Sequence, residues 1–478
     1  MDSNNPCPCC NNPWTRQPEL PFSLSCEACV ADGGGVTGID PKNLDPSVAP
    51  SADFYTHANG TWLANNPIPG EYPSWNTFVQ LHDQNLPRLR GLLEALAPPA
   101  AGAAADTIES KVAAFWSSSI DEAAIEAAGL APLAPLFAAC DLAHTDRTTA
   151  VAKLHAEYGV NVFFSVGEGP DDKQSEQTLL QLHQGGLGLP DRDYYFDDDK
   201  KDKREMYIAH VAKVLELLGD NTTVAASGAE AVMRLETQLA SAHLTRTERR
   251  DPETTYNRMT PAKLTALCKG GVDWPRYLQL VGKPHPKALN IDSPPALANT
   301  ARVLGEATAE DLRAYLRWHV GRSCAPHLGA AFVAAHFDFF DHTLSGTKEQ
   351  KVRWKRAMSM VEEALGEAVG QLYVAQYFNA DAKQRALAIV EQVRQALEAR
   401  LREVEWMRPA TRGKALEKMA AFGVKIGYPD SWVDYTNVHV VQGDHLGNVL
   451  RARAFEHQRQ MAFADAPTDR SRWLMLPP

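Results

Sequence analysis

Between Ile108 and Val404 apolar residues recur at helical spacing in one segment after another, while alternating strand patterns are rare. This periodicity constrains the fold more than any other feature, because each amphipathic helix must bury its apolar face against a neighbour. "IESKVAAFWSSSIDEAAIEAAG" reads as one helix from Ile108, ended by Gly129. "DKREMYIAHVAKVLELLGDN" reads as an amphipathic helix stopped at Gly219. Thr260 before Pro261 forms an N-cap and first-turn pair. Thr308 with Asp311 has the pattern of a capping box opening "AEDLRAYLRWHV". From Glu349 to about Val404 helical patterns run almost without a break. "VNVFFSVGEG" and "SEQTLLQLHQGG" predict a hairpin around "PDDKQ", and "GVKIGYP" and "NVHVV" predict two short strands near the end. No fixed-period repeat points to a solenoid. The fold class is therefore mainly α, with a few short strands.

A chain of 478 residues exceeds the usual size of one core. Its net charge of −11 and lack of any long basic run exclude broad nucleic-acid binding. No apolar stretch reaches the roughly 18 residues of a membrane span. The opening "MDSNNPCPCCNNPW" lacks the basic and apolar regions of a signal peptide. Together these predict a soluble, intracellular chain.

The eight cysteines are unevenly placed, with Cys7, Cys9, Cys10, Cys26 and Cys29 in the first 29 residues. Cys140, Cys268 and Cys324 are scattered and read as buried free thiols. Cys7-x2-Cys10-x15-Cys26-x2-Cys29 has the spacing of a four-thiolate structural zinc site. A Cys-rich tail without metal is the competing reading. Residues 1–45, rich in Cys, Pro and Gly and jointed by "DGGGVTG", are expected to form a segment apart from 46–478. Gly33, Gly35 and Gly38 fit G-x-G-x-x-G, but no strand precedes them and no helix follows, so they read as linker.

None of the 15 histidines is followed by Glu, so the chain contains no H-E-x-x-H, the pattern that puts two zinc ligands and a general base on one helical face. It also contains neither a G-x-S-x-G elbow nor a phosphate-binding G-x-x-x-x-G-K-[ST] loop. His336 and His342 fall on different helical faces and read as ordinary, partly buried histidines. Asp197, Asp198 and Asp199 lack the Gly and distal Glu of a calcium loop and read as a solvated turn. No catalytic or cofactor-binding residue is assigned.

A set of ordered blocks carries a more specific signal. In "DFYTHANGTWLANNPIPGEYPSWNTFVQL" these are Asp53, Phe54, Tyr55, Asn59, Gly60, Trp62, Ile68, Pro69, Trp75 and Phe78. "GGLGLPDRDYYF", "LETQLASAHLTRTERRDPETTYNRMT", "LSGTKEQKVRWKRAM", "LGEAVGQLYVAQYF", "WMRPATRGKALEKM" and "IGYPDSW" follow in order. From about residue 46 onward the chain resembles the neprilysin-like zinc metallopeptidases, of the neprilysin and endothelin-converting enzyme type. The resemblance implies the large helical lobe of a two-lobed peptidase, with the thermolysin-like catalytic part absent. "PTDRSRWLMLPP" matches the point after which family members continue into N-A-Y-Y, H-E-x-x-H and E-x-x-A-D. The resemblance therefore implies the N-terminal, substrate-enclosing region of a zinc metalloendopeptidase acting on small peptides. Its zinc ligands would lie beyond Pro478, so the chain would be inactive without a catalytic half. The alternative is a non-enzymatic pseudo-peptidase lobe that binds peptides or a separately encoded catalytic partner. Ser51 and Ser119 stand where secreted animal members carry cysteines, and Ser74 and His82 where neprilysin carries substrate-binding arginines. A lobe awaiting a partner should expose apolar surface near its end, and Val424, Ile426, Tyr428, Val438, Val440, Trp473 and Met475 are the expected patch.

Overall fold

The computed structural model describes residues 40–473. The proposed zinc ligands Cys7, Cys10, Cys26 and Cys29, and Met475, lie outside the described residues. The chain divides into two compact units, Met1–Pro69 and Gly70–Pro478.

In the first unit, Asp53 caps the helix Phe54–Asn65 by accepting the Thr56 N–H at 3.0 Å and the Thr56 hydroxyl at 2.6 Å. The same helix holds the preceding segment: Thr61 Oγ1 donates to the Leu44 carbonyl at 2.7 Å, and the His57 carbonyl accepts the Asp45 N–H at 2.8 Å. The Asp53–Gly60 block is thus used for local architecture, supplying a cap and an anchor.

Helices dominate the second unit, and its core is built around the fully buried aromatic rings Trp274, Trp318, Tyr207, Tyr277 and Tyr315. The expected helix from Ile108 to Gly129 is in fact two, Ile108–Ile120 and Glu122–Ala128. Asp121 leaves the helical region (φ −76°, ψ 79°), and its carboxylate accepts the Ala124 N–H at 2.9 Å, so the side chain ends one helix by capping the next. Gly219, at φ 97°, follows the helix Lys201–Leu217, and Thr260 caps Pro261–Leu267, as their sequences suggest. Thr308 accepts the Asp311 N–H at 3.1 Å, but the Asp311 carboxylate turns outward to Arg234 at 2.7 Å, so only half a capping box forms. The run after Glu349 becomes the helices Arg353–Tyr377 and Ala380–Glu403.

The expected hairpin is present as β1 (Phe164–Pro170) and β2 (Thr178–Gln184), paired antiparallel. Two further strands, β3 (Arg258–Met259) and β4 (Leu289–Ile291), complete a sheet of order β1-β2-β4-β3, with β2 and β4 parallel. They escaped the sequence reading because two or three residues cannot display an alternation. The late strands do not form: "GVKIGYP" and "NVHVV" are irregular apart from an isolated bridge between Ala104 and Val441. Side chains replace a partner strand there. Asn448 accepts the Val441 N–H and donates to its carbonyl, both at 2.8 Å, and Lys111 Nζ donates to the Tyr435 and Thr436 carbonyls at 2.7 and 2.9 Å. Val438 and Val440 are consequently buried, which corrects the expectation that they are exposed.

The loop after β2 explains the glycines of "GGLGLP". A Cβ on Gly188 would lie 1.8 Å from the Tyr207 hydroxyl. That hydroxyl and Tyr195 Oη donate to the fully buried Glu236 at 2.8 and 2.6 Å, and His319 Nε2 lies 3.1 Å from the same carboxylate. Cys140, Cys268 and Cys324 are buried free thiols; burial pushes the first two up to about 12 and Cys324 up to about 11.

The helix Ala380–Glu403 contains no buried residue. Ile389, Val393 and Leu397, spaced four apart, form an exposed apolar stripe, and Trp406 and Phe422 are exposed nearby in sequence. Among the described residues, no single helix is long and apolar enough to cross a membrane.

Candidate functional site

A cavity of about 660 Å³ in the second unit forms where the helix Arg353–Tyr377 breaks. Leu365 leaves helical geometry (φ −135°, ψ 33°) beside Gly366. The break is fastened from both sides: the Glu367 N–H donates to Tyr435 Oη at 3.2 Å, and Glu367 Oε2 accepts the Val433 N–H at 2.7 Å. The irregular segment described above therefore acts as a strap across the kink. Opposite it lies the helix His445–Phe463, started by Asp444, whose side chain accepts the Gly447 N–H at 3.2 Å.

The cavity wall is ionic. Glu168 from β1 pairs with Arg472 at 2.8 Å, and the Arg472 guanidinium lies 3.7 Å over the Phe463 ring. Arg459 pairs with Glu456 at 2.8 and 3.0 Å; burial opposes its charge, but these bonds outweigh burial and raise its pKa. Glu362, on the kinked helix, is pushed above the usual carboxylate range by burial. His457 donates its Nε2–H to the Val281 carbonyl oxygen at 3.0 Å, and burial lowers its pKa.

A second cavity of about 430 Å³ adjoins the first, and the two share His327, Met360, Glu363 and Arg453 as lining residues. Phe337 and Asp341 reach the second cavity from Phe337–Leu344, a π-helical segment. Such geometry is rare and is frequent at functional sites. His336 also lines this cavity, with Nδ1 unpartnered and its pKa lowered to about 4 by burial; His342 Nδ1 instead lies 2.9 Å from the Thr347 carbonyl oxygen. Ser74 and His82 are exposed and line neither cavity. The sequence reading missed the cavity residues because they come from many segments far apart in the chain, and no local spacing links them.

The family model for the N-terminal part of peptidase family M13 matches residues 50–429. The chain belongs to peptidase family M13. It is 29% identical to endothelin-converting enzyme 1 of Bos taurus over 97% of this chain and 62% of that protein. It is 27% identical to neprilysin-3 of Drosophila melanogaster over 91% of this chain and 59% of that protein. The chain thus spans about three fifths of the length of these curated relatives. Its fold matches the zinc metalloprotease Zmp1 of Mycobacterium tuberculosis in complex with an inhibitor, with a TM-score of 0.84 and 34% identity over 92% of this chain and 67% of that one. It also matches PepO of Lactobacillus rhamnosis, with a TM-score of 0.78 and 22% identity over 90% of this chain and 68% of that one. The helical architecture is that of the M13 helical lobe, as the resemblance implied.

Zinc is the metal this family implies. Among the described residues, no group of three or more His, Cys, Asp or Glu side chains is placed to hold a metal ion. The described part of this M13 chain therefore does not fit a catalytic zinc, and no step through zinc is assigned to its residues.

Proposed function

We propose that the chain is the substrate-enclosing helical region of a zinc metalloendopeptidase, and that the cavity at the kinked helix is part of the wall of its peptide chamber. The observation carrying this reading is the M13 match across residues 50–429. The cavity agrees with it: a peptide offers amides, both termini and side chains of either charge, and the wall presents paired carboxylates and guanidiniums beside apolar surface. Proteolysis then requires catalytic residues beyond those in this sequence, which contains no H-E-x-x-H. The exposed stripe Ile389, Val393 and Leu397 is offered as the face on which those residues' domain packs.

The test is cleavage of quenched-fluorescent peptides with zinc, with and without chelator. The chain alone should give no chelator-sensitive turnover. Adding the portion of Mycobacterium tuberculosis Zmp1 that this chain does not span should restore it. Chelator-sensitive turnover that co-purifies with the chain alone overturns the assignment.

A further inference from the structure

The break in the helix Arg353–Tyr377 turns two acids toward one cavity. Glu362 and Glu367 are five residues apart, which on a continuous helix puts them about 140° apart around the axis. Leu365 leaves helical geometry between them, and both line the cavity of about 660 Å³. Glu367 is only 6% exposed, and the strap fixes it through the Tyr435 hydroxyl and the Val433 N–H. The Val433 N–H takes up Oε2 alone. Oε1 accepts no hydrogen bond from the described residues, yet it is not sealed within the wall. Glu362 has no hydrogen-bond or ionic partner among the described residues, and its oxygens are also open to the cavity.

The wall does not neutralise these acids. Five glutamates and three arginines line the cavity, an excess of two negative charges. Arg472 is committed to Glu168, and Arg459 to Glu456 through both Nε and Nη2. Arg453 Nη1 donates to Ser323 Oγ at 3.0 Å. The lining histidines add no charge at neutral pH, because burial lowers His155, His327 and His457. Among the described residues, Glu362, Glu363 and Glu367 therefore have no cation within 4.0 Å. A buried carboxylate fixed by one hydrogen bond is costly unless a cation completes it. These acids are not gathered as metal ligands, since no group of three or more among the described residues is placed to hold an ion. An organic cation needs only one or two carboxylates.

We propose that Glu367 and Glu362 form a cation-binding subsite of this cavity, which takes the ammonium or guanidinium of a peptide. Glu367 Oε1 is the fixed ion-pairing atom, and Glu362 is the second anion across the break. Val433, Val449 and Phe455 line the same cavity and offer apolar surface to the stem of a Lys or Arg side chain. The Phe455 ring also gives a face on which a guanidinium can stack. The proposal rests on the peptide-chamber reading for the source of the cation, a basic side chain or a terminal ammonium.

Calorimetry of the full chain tests this with three peptides: N-acetyl-Ala-Lys-Ala amide, its norleucine analogue, and the norleucine peptide with a free amino terminus. At least one cationic peptide should bind tighter than the capped norleucine peptide by about ten-fold or more, the scale of one charge-assisted hydrogen bond. Preference for the lysine peptide names the side chain as the source, and preference for the uncapped peptide names the terminal ammonium. Glu367→Gln keeps an oxygen for the Val433 N–H and removes the charge, so it should erase most of the preference while binding of the capped norleucine peptide stays unchanged. Glu362→Gln breaks no hydrogen bond and should weaken the preference. If Glu367→Gln does not fold, the wild type and Glu362→Gln decide. Equal binding of all three peptides, no binding of any, a preference that survives Glu362→Gln with Glu367→Gln, or calcium ions that displace the cationic peptide overturn the proposal. Equal binding of all three would remove this subsite and leave the chamber reading standing.

Discussion

Glu236 and His319 lie 3.1 Å apart with neither side chain more than 2% exposed, and Tyr195 and Tyr207 donate to the same carboxylate. One buried acid thereby ties together the loop after β2, the helix Lys201–Leu217 and the helix Ala309–Cys324. Glu236→Ala would leave three buried polar groups without their partner. It should cost roughly 3–5 kcal/mol in urea unfolding, and Glu236→Gln about 1–3 kcal/mol because an acceptor oxygen remains. A Glu236→Ala midpoint close to wild type would show that the network is not stabilising.

Gly188→Ala attacks the same region sterically. Its Cβ would meet the Tyr207 hydroxyl at 1.8 Å, and Tyr207 cannot retreat without abandoning Glu236. A loss of roughly 3 kcal/mol is expected, at the upper end of overpacking costs. Thermal denaturation of the variant checks this, and an unchanged midpoint would mean that the loop moves freely.

Acid should destabilise the chain well before its carboxylates titrate. Burial lowers His155, His336 and His445 to about 4 and His210 to about 3. These rings stay neutral in the folded chain, whereas unfolded histidine takes up a proton near its ordinary value of about 6.5. The unfolded state then binds more protons below that value. Their contribution is therefore full above about pH 6.5 and is lost as the pH falls toward 4, at about 1.4 kcal/mol per pH unit for each ring. Urea midpoints at pH 7.5 and pH 5 should differ accordingly, and identical midpoints would contradict the burial of these rings.

The stripe on Ala380–Glu403 gives the opposite expectation. Ile389→Ser with Val393→Ser removes apolar area that is already in water, so stability should change by no more than about 0.5 kcal/mol. Binding of a hydrophobic dye should fall, and complementation by the Zmp1 portion should weaken. Unchanged complementation would place the docking face elsewhere.

The sequence was legible where one segment decides its own structure. Gly219, Thr260 and the β1–β2 hairpin each behave as their local residues dictate. It was illegible where distant side chains intervene. "NVHVV" has strand residues, yet Asn448 and Lys111 take up the neighbouring backbone groups from other helices and no strand forms. Asp121 falls inside the single helix read from Ile108 to Gly129, yet its carboxylate caps the next helix and splits that run in two. The kink at Leu365 depends on Tyr435 and Val433, some seventy residues on, so no window around "LGEAVG" could reveal the cavity that it opens. The family blocks were readable as an ordered set, but most of their residues serve caps and close packing rather than chemistry.

The three buried thiols give the fold an internal clock. With pKa values of about 11 to 12, Cys140, Cys268 and Cys324 carry almost no thiolate at neutral pH while folded. An alkylating reagent can modify them only during excursions that expose the segments on which they sit. Those segments are the helix Ala134–Leu142, the end of Pro261–Leu267 and the end of Ala309–Cys324. Mass-mapped labelling of each cysteine over time would therefore report, region by region, how often this helical body breathes.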